Sequence, residues 1–496
     1  MRQILHILLW GKEIGILEWK PRLGRSFFTY NPVYLANGGV SPFPLIAPIE
    51  NALYRSFGSE DERIYQHLPA FLADSLPDDW GNMLFERWRI DQHLSSSEVT
   101  PLDKLTFIGK RGMGALEFEP DTSPEPYLQS VNIGDLAALA HRIFQERENS
   151  KILPDEMLTK QLLIAVGTSA GGRQPKAIVA LNRETGEIRS GQIAGLEGYD
   201  YYILKFGDKE RSSAELEMTY YQMAIDAGIN MMPCRLIEVE DEKHFMTQRF
   251  DRVNGEKLHL QTLAAIDPDA DSYEKLLLVC RRLHLSDSDA DQLFRRLLFN
   301  YLANNTDDHR KNVSFLMNIN GEWRLAPAYD LTFIYNYGGY QPETMHCMMM
   351  RGKYRDWTIT DILNFAQDNG IKNPQKILNE VALAISNFRN IAERYGVKRE
   401  WIGRVESCLN MHLREWGFAT VENQENWVTP KGKQVSNIFL EQAYKGNIHL
   451  YATIDGKLRK YIFRPATAEY QYMKEHGIDH IPYEKLRQWI CEYMDK

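Results

Sequence analysis

The stretch ANNTDDHRKNVSFLMNINGEWRLAPAYDLT (303–332) carries Asp307, then four residues, then Asn312, and farther on Asp330. Transfer of a phosphoryl group needs a carboxylate that orients an attacking hydroxyl and accepts its proton. It also needs oxygen ligands hard enough for Mg²⁺ beside the nucleotide phosphates. Asp307 suits the first task, and Asn312 with Asp330 the second. The same spacing arises by chance in long chains, and Asp and Asn favour the turn after a helix. His309 stands beside Asp307 and Asp308, but no second histidine lies at metal-ligand spacing, so it reads as structural or solvent-facing.

Protein kinases use this order: an Asp, four residues, an Asn, a short β segment and a second Asp. They also need an ammonium on the α/β-phosphates, held by a carboxylate from a helix. Lys205 closes the strand-like YYILK, and Glu217 lies on the helix expected after it. Taken singly, each is more often a solvated side chain; their order ahead of Asp307 is harder to obtain by chance. The turn VGTSAGG (166–172) could cradle phosphates through Gly171 and Gly172, because glycine lets backbone N–H groups approach anions. It matches neither the dinucleotide nor the Walker pattern, so a plain β-turn stays open.

The elements that must position these groups come in a definite order. MRQILHILLW followed by GKEIG reads as a strand, a turn and a second strand. A helix is expected near 82–92, a linker at DTSPEP (121–126) and a helix over 132–149, where Leu136, Leu139, Ala140 and Ile143 share a face. KAIVAL and YYILKF are strands, with a helix over 213–227 after them; RLIEVE and HFMTQRF are strands joined at DEK. Helices then dominate, most clearly at 287–303, with Ser286 and Asp289 in capping-box spacing. A small β-rich lobe feeding a helical lobe is an α+β arrangement.

At 496 residues the chain calls for two or three domains. A net charge of −9 argues against DNA binding by this chain alone. Five scattered cysteines (Cys234, Cys280, Cys347, Cys408, Cys491) form no CxxC pair and read as reduced thiols. The opening lacks a small-residue cleavage site, and the uncharged stretch 29–49 holds four prolines, so neither a signal peptide nor a membrane helix is expected. A cytoplasmic protein without membrane contact follows as the expectation.

The chain resembles the HipA family of bacterial toxin–antitoxin kinases. FLADSLPDDWG (71–81), KLTFIGKRGMGALEFEP (104–120), GTSAGGRQPKAIV (167–179), FMTQRFDR (245–252), NNTDDHRKNVSF (304–315) and RLAPAYDLT (324–332) carry the resemblance, which spans about 1–415. It implies a two-lobed protein-kinase-like fold with an N-terminal β-rich subdomain packed on the small lobe. It implies Asp307 as catalytic base, Asn312 and Asp330 as Mg²⁺ ligands, Lys205 on ATP, and backbone near Gln248 and Phe250 holding adenine. It further implies autophosphorylation at Ser169 in the glycine-rich loop, with Thr168 as its neighbour, and serine/threonine phosphorylation of a protein, typically an aminoacyl-tRNA synthetase. The implied partner is a separate HipB-like helix-turn-helix antitoxin, through which alone DNA is reached.

The division expected is 1–120 N-terminal subdomain, 121–255 small lobe, 256–420 catalytic lobe and 421–496 C-terminal extension. In the last, NIHLYATIDGKLRKYIF reads as two strands about a DGK turn, with a helix from about 483. A small-molecule kinase would use a similar D-x-x-x-x-N. A catalytically silent scaffold would not need Asp307, Asn312, Asp330 and Lys205 together.

Overall fold

The computed structural model describes residues 4–49, 53–55, 62–125, 130–146, 161–164, 174–193, 195–239, 241–253, 255–336, 341–420, 427–442, 446–455, 457–478 and 481–495. The loop residues Thr168, Ser169, Gly171 and Gly172 lie outside the described residues.

Alternating apolar side chains build the N-terminal sheet. In Ile4–Leu9 the side chains of Leu5, Ile7 and Leu9 are buried and those between them are not, the period of a half-covered strand. Five antiparallel strands run in the order Leu53–Arg55, Arg25–Tyr30, Lys12–Lys20, Ile4–Leu9, Leu116–Glu119. The small lobe is a second antiparallel sheet ordered Ile188–Ser190, Lys176–Asn182, Tyr199–Lys205, Glu242–Gln248, Cys234–Val239. Helix Ser213–Asp226 packs on it. One apolar core serves both sheets, for Leu5, Ile7 and Phe118 cluster with Ala177, Val179, Leu204 and Met246.

The N-terminal region packs on the small lobe, as the resemblance implies, and reaches the large lobe as well. Tyr65 Oη donates to the Ala264 carbonyl at 3.0 Å, and His259 Nε2 meets the Pro42 carbonyl at 3.0 Å, both on the large lobe. The segment therefore touches both lobes.

The large lobe is helical, and its longest helices are Arg399–Glu415, Asp287–Leu302 and Pro374–Ser386. Ser286 and Asp289 close a capping box at the start of Asp287–Leu302, as their spacing suggests. Leu293, Leu297, Leu298 and Leu302 from its apolar face enter the core of this lobe. A three-stranded sheet, His259–Thr262, Ser314–Met317 and Trp323–Leu325, carries the chain on either side of the Asp307 loop. Beyond it, strands Phe418–Thr420, Gln434–Gln442, Ile448–Ile454 and Lys457–Phe463 form a C-terminal sheet, and helix Tyr483–Trp489 packs in its own core. Tyr451 crosses into the core of the helical lobe and accepts a hydrogen bond from Asn379 Nδ2. Among the described residues no helix is long and apolar enough to cross a membrane.

Candidate active site

Lys205 ends a strand in the middle of the small-lobe sheet, where a lone ammonium would be costly to bury. It is only 7% exposed, and two carboxylates meet it. Glu217 Oε1 lies 3.1 Å from Lys205 Nζ, and Asp330 Oδ1 lies 2.5 Å from it. Burial alone would lower the Lys205 pKa, but Asp330 and Glu217 outweigh it and hold the pKa above its ordinary value. Burial pushes Glu217 up despite Lys205. At Asp330 burial acts upward, yet Lys205 and Lys176 prevail and hold its carboxyl below the usual range. The lysine and glutamate picked from sequence order are thus joined in space, with Asp330 125 residues farther along.

Asp330 has φ of 53°, in the left-handed region that Asp tolerates better than most residues. Its neighbour Tyr329 is fixed by a hydrogen bond to the Lys311 carbonyl at 2.7 Å and one shared with Ser314 Oγ at 2.6 Å. The second Asp is thereby tied to the loop that bears the first.

The loop itself is a turn of 3₁₀ helix, Arg310–Asn312, capped by His309, whose Nδ1 accepts from the Lys311 amide at 3.2 Å. His309 Nε2 also stands 3.7 Å from Asp307 Oδ1. Asn312 Nδ2 donates to the Asp307 carbonyl at 2.8 Å, which locks the residues at the two ends of the motif together. With its NH₂ so engaged, Asn312 offers its carbonyl oxygen for a cation. Asp307 keeps about half its side chain open, yet crowding in the cleft raises its pKa; His309 opposes the rise, and Asp330 and Asp308 add to it.

From the sequence Asp308 drew notice only as a candidate metal ligand beside Asp307 and His309, and the structure gives it an anchoring role. Its Oδ2 accepts from Tyr273 Oη at 2.7 Å and lies 3.0 Å from His346 Nδ1, while Oδ1 accepts from the Cys347 amide at 2.7 Å. A buried Asp held at three points fixes the backbone that presents Asp307.

Between the lobes lies a cavity of about 1500 Å³ that contains Lys205, Gln248, Phe250, Asp307, Asn312 and Asp330 in its lining. Gln248 pairs with Tyr202 across the sheet and donates its backbone N–H to the Pro233 carbonyl at 3.0 Å. The Phe250 ring lies 5.6 Å from that of Tyr329. Next to them Arg249 is buried in a two-point pair with Asp251, both contacts at 2.9 Å, and Asp251 also accepts from Arg252 at 2.8 Å and from the Gly114 amide at 2.6 Å. Asp74, Ser75, Asp78 and Asp79 bring the LADSLPDDWG segment into the cavity wall. That placement was missed from sequence, because the partners of Asp74 and Asp78 are about a hundred residues or more away.

Residues 5–119 match the HipA N-terminal domain, and residues 168–388 match the HipA-like C-terminal domain. The chain belongs to the HipA family. The HipA of Shewanella oneidensis MR-1, solved with HipB and its operator DNA, aligns at a TM-score of 0.58 and 17% identity, over 83% of this chain and 97% of that one. The two share a fold, here a kinase-like one of two lobes. The Helicobacter pylori proinflammatory kinase CtkA aligns at a TM-score of only 0.33 and 12% identity, over 44% of this HipA-family chain and 88% of its own. A Haemophilus influenzae protein, a kinase by name, is 26% identical over 219 residues. That match takes in 38% of this chain and 61% of the relative's length.

Proposed function

We propose that this HipA-family chain is an ATP-dependent serine/threonine protein kinase, the toxin of a toxin–antitoxin pair. The observation that carries the reading is the meeting of Lys205, Glu217 and Asp330 at one wall of a cavity that also holds Asp307. In this reading ATP lies between the lobes, its adenine against backbone near Gln248 and Phe250 and its phosphates toward Lys205. Asn312 and Asp330 fit Mg²⁺, since both offer hard oxygen donors. The ion, when bound, would neutralise charge on the phosphates. Asp307 orients the acceptor hydroxyl and takes its proton, and its raised pKa makes it a better base than an ordinary carboxylate. Glu217 holds the Lys205 ammonium in place, and the Asp308 anchor holds the loop.

The acceptor is a protein, with an aminoacyl-tRNA synthetase the first candidate. Ser169, in the loop with Gly171 and Gly172, is the proposed autophosphorylation position; phosphate there would oppose the nucleotide phosphates and displace the loop. The partner is a separate HipB-like helix-turn-helix antitoxin, as the HipB in the Shewanella complex suggests. With a net charge of −9 the chain would leave DNA contact to that partner and act in the cytoplasm.

The test is incubation of the pure protein with γ-labelled ATP, Mg²⁺ and a cell lysate, with free sugars and aminoglycosides in parallel. Label on a protein serine or threonine is expected. Label on the small molecules alone would replace the reading with a small-molecule kinase, and no transfer at all would overturn it.

A further inference from the structure

One short segment of the N-terminal region grips both lobes beside their functional residues. At its start Asp74 takes two hydrogen bonds from the large lobe, Oδ2 from the Thr262 amide at 2.8 Å and Oδ1 from Thr262 Oγ1 at 2.7 Å. Thr262 is the register partner of Ser314, and the next residue, Leu263, donates its amide to the Val313 carbonyl at 2.8 Å. That contact lies one residue beyond Asn312. At the other end Asp78 Oδ2 stands 3.4 Å from Lys176 Nζ, and Trp80 Nε1 donates to the Lys176 carbonyl at 2.9 Å. Lys176 is the register partner of Lys205 on the adjacent small-lobe strand.

The link between these ends is short and stiff. Asp78 is itself held, its Oδ1 accepting from the Gly81 amide at 2.6 Å as the N-cap of helix Asp79–Asp91. Leu76 is buried, Pro77 fixes its own φ, and Trp80 is wholly buried. At both ends the gripped residue stands next to site residues, Lys205 on one lobe and Asn312 on the other.

We propose that Asp74, Asp78 and Trp80 form a strap that sets the separation of the two lobes, and with it the distance from Lys205 to Asp307 and Asn312. They are positioning residues supplied from outside the kinase lobes. Their effect on catalysis rests on the kinase reading; their effect on lobe spacing does not. The N-terminal region has other ties to both lobes, so cutting the strap loosens their spacing rather than freeing it. A strap still differs from two independent supports, because once one end is cut, cutting the other adds little.

The full chain is compared with Asp74→Asn, Asp78→Asn and the double variant, using dephosphorylated casein as acceptor. Each single change is expected to lower kcat about tenfold, with KM for ATP shifting less than about threefold, and the double change is expected to lower it about tenfold in total, no more than either single change, rather than about a hundredfold. Energy transfer between dyes on unnatural residues at positions Lys209 and Ser288, one on each lobe, is expected to broaden equally in all three. Multiplying losses, or an unchanged narrow distribution, would overturn the strap. If an Asp variant melts early, Thr262→Val and Trp80→Phe each remove one hydrogen bond and carry the same comparison. A wild-type chain that labels neither casein nor any protein of a cell lysate would sink the kinase reading, while the dye distances would still decide the strap.

Discussion

Two aspartates in one cleft have their pKa values pushed in opposite directions. Burial and neighbouring carboxylates raise Asp307, while Lys205 and Lys176 outweigh burial at Asp330 and lower it. A base gains from the first arrangement and a cation ligand from the second, so the two should fail differently when altered. On the proposed kinase reading, Asp307→Asn removes an interaction made in the transition state; kcat should fall by about 10²-fold or more, with ATP affinity within about threefold of the original. Asp330→Ala removes one of the two carboxylates on Lys205 and, on the same reading, an oxygen ligand of Mg²⁺. Nucleotide affinity should fall about tenfold in the presence of Mg²⁺ and change less without it, as titration calorimetry would read. Equal wild-type activity in both variants would place the chemistry elsewhere. At this scale Asp307, Asn312 and Asp330 were legible because they sit in one stretch of thirty residues whose order has a chemical reason. Asp308 was not, because an Asp anchored by Tyr273, His346 and the Cys347 amide looks in sequence like any other turn residue.

Elements with a local signal were readable, and contacts between them were not. The capping box at Ser286 and Asp289 and the strand ending in Lys205 stand where their patterns put them. The expected C-terminal strands and helix do too, as Ile448–Ile454, Lys457–Phe463 and Tyr483–Trp489. No periodicity, however, reports that Asp251 accepts from Gly114, 137 residues away. Asp251→Asn would leave Arg249, which is 2% exposed, without its counter-charge, at a cost of about 3–5 kcal/mol; chemical denaturation should read that loss. A variant within about 0.5 kcal/mol of the original would show the node to be expendable.

His259 is another such joint, buried against Phe43 and Trp323 with Nε2 at the Pro42 carbonyl. Burial lowers its pKa to about 4, against a weaker upward pull from Pro42. Between about pH 6.5 and about 4 the unfolded chain therefore binds the proton that the folded chain refuses. Stability should fall as pH falls through that window, by up to about 3 kcal/mol from this group, and level off below it. His244, also lowered to about 4 by burial, adds to the slope. Melting temperature against pH should be measurably shallower in His259→Gln; an identical slope would remove His259 from the account.

The whole molecule joins a kinase-like pair of lobes to two further units, an N-terminal sheet that shares the small lobe's core and a C-terminal sheet with a core of its own. The net charge of −9 argues against DNA binding by the chain as a whole. A toxin of this kind would act by turnover: one enzyme molecule modifying many copies of an essential protein can stop growth at low abundance. A stoichiometric binder would have to match its target's concentration. Dose therefore separates the two. Low-level production of the chain alone should arrest growth, and Asp307→Asn at the same level should not. Producing the chain with its operon neighbours should lift the arrest, and a small basic helix-turn-helix protein should purify with it and bring DNA binding to the complex. Arrest that persists undiminished in Asp307→Asn would point to a binder instead. Harmless production of a chain that nonetheless transfers phosphate would leave the kinase standing and remove the toxin, since the chemistry at Lys205, Asp307 and Asp330 does not by itself require a lethal substrate.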